Sequence, residues 1–428
     1  MGIAGAVLQA KKIELGLRGF GILPRIFVFK GRLFESSFKF NSDTFIEIKI
    51  RYNQYMKIPN LQHNSIRICF VIPKAYPLFN PSVPGVFGGS EVDMYQMGIE
   101  LALDRDFSVS FIVADYGQPD EEEQNGIRII KSLDFTQNSL TGARKVWRSL
   151  QSADADIYIM KTLSPGVPLT AYYCRKYQKA FTYRTANEQE CDGSLLKEHF
   201  FLGRAFAWAL RKAQVIFTQN QKDTENLKQS LGLRGVAIPN GHPLPEYVDI
   251  EREIILWSGR SAQIKRPDLI FALARLAPRE RFVMICQEAF GEGGYEALVR
   301  EAEGIGNLEF LPRVGFHQID AYFQRAKVLV NTSDSEGFPN TFIQACTWAT
   351  PILSLHVNPD GFLDRHQCGK CAEGDWELFV RMLTELAEPE AQKQYGQNAR
   401  RYVEEHHDIK KIIEEYKRIF RELVQKKI

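Results

Sequence analysis

An alternation of short apolar runs with amphipathic helical stretches, played twice, constrains this chain more than any other feature. The first set of apolar runs is Arg67–Ile72, Val109–Ala114, Ile127–Ile130, Ile157–Met160, Ala180–Tyr183, Val215–Thr218 and Val236–Ile238. Helical periods fall between most of them, at 91–103, 143–150, 167–177, 198–212 and 222–230. Unbroken apolar runs suit strands buried on both faces, and strand–helix alternation marks parallel βαβ units. A Pro- and Gly-rich break, Pro239-Asn240-Gly241-His242-Pro243-Leu244-Pro245, then interrupts the rhythm. Strands resume at 254–257, 282–286, 308–311, 328–331 and 351–355, with helices at 267–276, 295–303, 319–325, 341–348, 376–386 and 407–426. The expected fold is α/β, with two Rossmann-like doubly wound domains facing across a cleft. The expected boundaries are an N-terminal extension over 1–65, a first domain over 66–240, a second over 241–405 and a terminal helix over 406–428.

Length and charge sharpen that layout. At about 150 residues per domain, 428 residues suggest three units, and the extension stands in for the third. Residues 1–60 hold ten Lys and Arg against four Asp and Glu, a local +6; the whole-chain +2 therefore leaves −4 for the rest. That segment reads as a hairpin-like add-on, a basic arm, or the product of a start placed too early, with Met56 as the alternative start. An intact mass of the native protein decides between these. The near-neutral total argues against a nucleic-acid partner. Seven scattered cysteines do not suggest a disulfide framework, and Cys368-x-x-Cys371 lacks a second pair to complete a zinc pattern. No run of about 18 apolar residues is present, and no signal peptide is evident, so the cytoplasm is the expected location.

Open parallel sheets bind ligands beyond the carboxyl ends of their strands, where helices begin. Two segments occupy such places in the second domain. Trp257-Ser258-Gly259-Arg260-Ser261-Ala262-Gln263-Ile264-Lys265-Arg266-Pro267 follows a strand and ends at a favoured helix start. Gly259 permits a close turn, and Arg260 and Lys265 set a planar fork and a point charge beside free helix amides, a combination suited to a diphosphate. Asn331-Thr332-Ser333-Asp334-Ser335-Glu336-Gly337-Phe338-Pro339-Asn340-Thr341 also leads from strand to helix. Glu336 at its mouth can accept hydrogen bonds from sugar hydroxyls, and Gly337 lets a ligand near the backbone. Asn340 and Thr341 bring spare amides, and Gln344 lies one turn further on.

These two motifs resemble the donor-binding half of a GT-B glycosyltransferase of glycosyltransferase family 4 (glycosyl transferases group 1). Glu336-Gly337-Phe338 is similar to the family's Glu-Gly-Phe loop, and Gln344 takes the position of its second glutamate. In the first domain, Phe87-Gly88-Gly89-Ser90-Glu91 resembles the family's Gly-Gly loop, and Ile238-Pro239-Asn240-Gly241 its interdomain segment. The resemblance covers about 66–405 and is strongest over 254–361. It implies a retaining, metal-independent hexosyltransferase with no cofactor beyond its co-substrate, a UDP- or GDP-linked nucleotide sugar. Arg260 and Lys265 would stabilise the departing diphosphate, and Glu336 would hold the donor sugar. Gly259, Gly337, Phe338, Asn340, Thr341 and Gln344 would line the donor site, with Gln344 addressing the ribose. A saccharide or lipid-linked acceptor would lie near Gly88, Gly89, Asn187 and Glu188. The resemblance also implies a role in polysaccharide or glycoconjugate biosynthesis, a terminal helix packed back on the first domain, and an inner membrane face as one place of work.

One departure stands out. Many relatives carry a first-domain histidine facing the donor sugar, whereas the loops after Ile157–Met160 and Ala180–Tyr183 contain none; Lys161, Asn187 and Glu188 are the polar groups there. This motivates a second reading, a non-catalytic GT-B protein that binds a nucleotide sugar or a partner enzyme. A GT-B epimerase or phosphorylase is a third. Lesser candidates read as structural. Asp154-Ala155-Asp156 precedes a strand and suits a surface turn. Gly291-Glu292-Gly293-Gly294 has the wrong spacing for a dinucleotide fingerprint, and Asn358-Pro359-Asp360-Gly361 suits a turn or a donor-site lid. His199 suits a surface helix. The aromatic and basic Phe200–Lys212 helix suits core packing, with peripheral membrane contact as the alternative.

Overall fold

A computed structural model describes residues 65–85, 87–198, 200–289, 292–316 and 318–425, together with two short strands, Val28–Phe29 and Arg32–Leu33. The chain divides into two compact units, Met1–His63 and Asn64–Ile428. Within the first unit, Val28–Phe29 pairs antiparallel with Arg32–Leu33. The rest of residues 1–64, including Met56, lies outside the described residues, as do His199 and Gly291.

The second unit holds two sheets. The first contains β1 (Ile66–Val71), β2 (Phe107–Val113), β3 (Glu121–Gln124), β4 (Ile127–Lys131), β5 (Ile157–Lys161), β6 (Ala180–Arg184), β7 (Val215–Thr218) and β8 (Val236–Ala237). Their order is β8-β7-β6-β5-β1-β2-β4-β3, parallel except for the edge strand β3, which runs antiparallel to β4. The second sheet contains β9 (Ile254–Arg260), β10 (Arg281–Gln287), β11 (Leu308–Leu311), β12 (Ala326–Asn331), β13 (Ile352–Ser354) and β14 (Gly369–Cys371), in the order β11-β10-β9-β12-β13-β14, all parallel. Both sheets are doubly wound, as the alternation implied, and together they make the GT-B architecture.

Strand periodicity sends alternate side chains to opposite cores. In β1, Ile68 and Phe70 enter one cluster while Cys69 and Val71 enter the other. In β9, Ile254 and Leu256 face one side while Ile255 and Trp257 face the other. Helices therefore cover both faces, which is why these strands read as continuous apolar runs.

Three details differ from the sequence reading. β9 continues three residues past Trp257, because Ser258, Gly259 and Arg260 keep pairing with Ile285, Cys286 and Gln287. Gly259 and Arg260 are thus strand-end residues rather than loop residues. The expected 198–212 helix is two pieces, Ser194–Glu198 and Phe200–Leu210. The segment 121–124, with no apolar residue, is nevertheless a strand, held by its pairing to β4.

The chain passes between the domains twice, and the two passages run side by side. The His242 amide donates to the His407 carbonyl at 2.8 Å, and the Ile409 amide returns to the His242 carbonyl at 3.1 Å. A Cβ on Gly241 would sit 3.2 Å from Ile409 Cα, so glycine permits the close approach. The Ile409–Gln425 helix then lies on the first domain. It buries Ile413, Tyr416, Ile419 and Phe420 in the same cluster as Ile68 and Phe111, the stripe expected of an amphipathic helix.

Candidate active site

The second-domain half of the site is built from the ends of β9 and β12. After β9 a short 3-10 turn, Gln263–Lys265, carries Lys265 and ends at Arg266 with φ +47°. After β12 the chain reaches Glu336, and the two loops are stitched together. Thr332 Oγ1 lies 2.8 and 2.9 Å from the carbonyls of Lys265 and Arg266 and accepts from Trp257 Nε1 at 2.9 Å. The Asp334 amide donates to the Ile264 carbonyl at 2.9 Å.

This stitching sets Lys265 and Glu336 against each other in an ion pair through Glu336 Oε2. The other oxygen, Oε1, accepts from Asn331 Nδ2 at 2.9 Å and Ser333 Oγ at 2.6 Å. The Glu336 side chain is only 14% exposed and Lys265 22%, so the pair is partly shielded from water. Arg260 is exposed and has no ion-pair partner among the described residues. A sheltered carboxylate, its cation and a free guanidinium thus share one strand-end surface.

The first-domain half meets it at two helix starts. Gly89–Ala102 and Asn340–Thr347 begin opposite each other, and Asn340 Nδ2 donates to the Gly89 carbonyl at 2.8 Å. A Cβ on Gly89 would come within 2.8 Å of that nitrogen. The Phe342 amide donates to the Pro339 carbonyl at 3.0 Å, while a helix's earliest amides have no acceptor within their own helix, so each start carries a positive end. The Gly88 amide is taken by Glu91 Oε2 at 2.7 Å. Gly337 faces the first domain as well, since a Cβ there would lie 3.8 Å from Asn187 Cα.

Other expected residues have different surroundings. Phe338 packs its ring against Phe362 at 5.1 Å and His407 at 4.9 Å. Thr341 and Gln344 are half-buried on the first turns of the Asn340 helix. Asn187 caps a short turn by accepting from the Glu190 amide at 3.2 Å. Glu188 turns to Lys222 at 2.8 Å and Asn226 at 3.2 Å. Lys161 is withdrawn from the cleft into a buried ion pair with Asp93 at 2.7 Å. The 154–156 segment clamps Arg67, with Asp154 at 2.7 Å and Asp156 at 2.9 Å. Cys368 is buried. No group of three or more His, Cys, Asp or Glu among the described residues could hold a metal ion.

The structure also joins Lys161 to residues that sequence reasoning missed, Asp93 and Arg184 first. Asp93, Lys161 and Arg184 form a fully enclosed cluster, with Arg184 Nε 2.7 Å from Asp93 Oδ2. Burial pushes Asp93 up, but Arg184 and Lys161 outweigh it and hold the carboxyl below its ordinary value. Burial pulls Lys161 down, against the attraction of Asp93. Glu190, also buried, accepts from the amides of Leu163 at 3.0 Å and Ala186 at 2.9 Å and from the Tyr183 hydroxyl at 3.0 Å. It thereby ties the loops after β5 and β6 together, and burial raises its pKa despite those donors. Between them, Thr162 sits at φ +71°, strained for a β-branched residue, beside the point where strand order reverses. The signal for Lys161 and Arg184 was a lone cation ending each apolar run.

Comparison with known proteins agrees with this architecture. Sucrose-phosphate synthase from Thermosynechococcus elongatus superposes with a TM-score of 0.68 at 15% identity, covering 84% of this chain and 99% of that one. An α,α-trehalose-phosphate synthase (UDP-forming) from Burkholderia xenovorans gives 0.64 at 12% identity, covering 83% and 100%. These likenesses speak to the fold. Residues 252–388 match the family described as Glycosyl transferases group 1, so the second domain is a glycosyl transferases group 1 domain. D-inositol 3-phosphate glycosyltransferase of Streptomyces coelicolor is 30% identical over 167 residues, 35% of this chain. The chain matches about a third of that relative's length, 36%. Among the described residues, no helix is long and apolar enough to cross a membrane.

Proposed function

We propose that this protein transfers a sugar from a nucleotide diphosphate sugar to an acceptor hydroxyl, with retention at the anomeric carbon and without a metal ion. The observation that carries this reading is the Lys265–Glu336 pair, set beside the facing starts of the Gly89 and Asn340 helices. A diphosphate between those helix ends would meet amides and the cations of Lys265 and Arg260. Glu336 would exchange its lysine for donor sugar hydroxyls. As the sugar–diphosphate bond breaks, charge grows on the leaving oxygen, where fixed donors stabilise it most. Thr341 and Asn340 supply amides, Gly337 leaves room at the backbone where Gly259 gives its space to the Trp257 ring, and Gln344 reaches the ribose. The acceptor, a saccharide or lipid-linked hydroxyl, would approach from the Gly88-Gly89 and Asn187-Glu188 side. Work in polysaccharide or glycoconjugate biosynthesis, in the cytoplasm or at the inner membrane face, fits that chemistry.

The matched domain over 252–388 supports the reading, because it contains both donor motifs. A thermal-shift screen against UDP- and GDP-sugars, followed by release assays with saccharide acceptors, tests it; bound ligand raises stability by mass action. Stabilisation by a nucleotide sugar with acceptor-dependent release of UDP or GDP is expected. Binding without turnover over a broad acceptor panel would favour a non-catalytic nucleotide-sugar binder, the reading that the absent first-domain histidine motivates.

A further inference from the structure

We infer that Asn240 and Arg184 are positioning residues for the transfer, closing a hydrogen-bonded ring that holds the two helix starts in register; this rests on the sugar-transfer reading above. The ring begins at Asp93, whose carboxylate accepts from Arg184 Nε at 2.7 Å. Arg184 Nη2 donates to Asn240 Oδ1. Asn240 Nδ2 donates to Asn340 Oδ1 at 2.8 Å, and Asn340 Nδ2 donates to the Gly89 carbonyl at 2.8 Å. Gly89 and Asp93 belong to the same helix, one turn apart. The path therefore leaves the first domain, passes through the interdomain segment, touches the second domain and returns to the helix it started from.

Each member suits that task. Arg184 is fully buried and cannot exchange its partners for water. Its remaining donor, Nη1, is held by the Ile238 carbonyl at 3.0 Å and by Tyr416, so the guanidinium is fixed in place. Asn240 is 4% exposed, and its Nδ2 is also shared with Gln219 Oε1 at 3.1 Å. Its carbonyl accepts from His407 Nδ1 at 2.8 Å, so the second interdomain passage pins it too. The charge on Arg184 polarises the Asn240 amide, which strengthens the two links that follow. Position 89 must be glycine for closure, because a Cβ would displace Asn340 Nδ2. Neither Asn240 nor Arg184 needs to touch substrate. Their effect is on the gap between two positive helix ends, where a misplacement of about 1 Å can cost about a hundredfold in rate.

The experiment uses the full chain with Asn240→Ala, Gly89→Ala, the double variant and Asn240→Asp. It measures Tm, kcat, donor KM, and the radius of gyration by X-ray scattering with and without UDP. Each single variant is expected to lower kcat about tenfold or more, with donor KM moving less than about threefold. The double variant is expected to fall no further than the worse single, since both cut one ring. Asn240→Asp keeps the acceptor for Arg184 and loses the donor to Asn340. It is expected to hold Tm yet lose kcat as Asn240→Ala does, which a merely structural role would not produce. Multiplying losses in the double variant, or wild-type kcat in Asn240→Asp, would overturn the inference. Scattering reads the ring without catalysis: the free variants are expected to expand, and an unchanged radius of gyration overturns it. A wild type that turns over no nucleotide sugar refutes the transfer reading alone, while the scattering result still decides the ring.

Discussion

Lys265 and Glu336 neutralise each other where the loops after β9 and β12 meet. In the proposed site a diphosphate would compete with Glu336 for that lysine, and the two residues should therefore respond differently to substitution. Lys265→Ala is expected to weaken UDP binding, whereas Glu336→Ala frees the lysine and is expected to tighten it. Both are expected to lower transfer at least about a hundredfold, the scale of removing one transition-state stabiliser. Calorimetry with UDP and an acceptor-dependent rate assay separate the two effects. Wild-type rates in both variants would refute the site.

The Asp93 cluster is a structural commitment with two cations on one carboxylate. Asp93→Asn leaves Lys161 and Arg184 buried without their counter-charge, a change that costs about 3–5 kcal/mol in comparable sites. A clear drop in the urea midpoint is expected, and an unchanged midpoint would show that water reaches the cluster. Lys161→Met should be milder, because Arg184 still balances Asp93.

Much of this was legible in the sequence, and the limits have physical causes. Val215–Thr218, Tyr295–Glu303, Leu308–Leu311 and Trp376–Leu386 match their elements residue for residue, because apolar patterns there end at clear breakers. Glu121–Gln124 was invisible, since an edge strand held by backbone pairing needs no apolar alternation. Arg260, Lys265, Glu336 and Asn340 stand out in the sequence because they follow strands, where open parallel sheets bind ligands, and the structure pairs two of them, Lys265 and Glu336. The ring through Asn240 could not. Its links join residues 100 and 251 positions apart, and no local pattern encodes such pairings.

Tyr416 joins the terminal helix to the first domain in two ways, packing its ring at a tilt against Phe217 at 4.7 Å and accepting from Arg184. Tyr416→Phe keeps the ring and removes the acceptor, which should cost about 1–3 kcal/mol for the unpaired donor left behind. Tyr416→Ala also opens a cavity and should cost about 3–5 kcal/mol. Denaturation midpoints in that order check the contact. Equal losses would mean that the hydroxyl, rather than the ring, holds the helix.

His242 and His407 predict how stability depends on pH. Burial lowers both to about 4 from 6.5; the neighbouring His407 adds to the effect at His242, and the bond to the Asn240 carbonyl opposes it at His407. Below pH 6.5 the unfolded chain takes up protons that the folded chain refuses. Their stabilisation is therefore complete above pH 6.5 and is lost as pH falls toward 4, by about 3 kcal/mol for each histidine. Asp223 works the other way. Burial and Glu188 raise it from 3.8 to about 6, so its contribution is complete below pH 3.8 and is lost as pH rises through 6. Wild type and variants must therefore be compared over the same range. His407→Asn, whose amide can replace the Nδ1 donor to Asn240, is expected to flatten the fall in Tm between pH 6.5 and 4.5, and His242→Asn to flatten it further. Parallel Tm curves for wild type and both variants would show that these rings take up protons in the folded state.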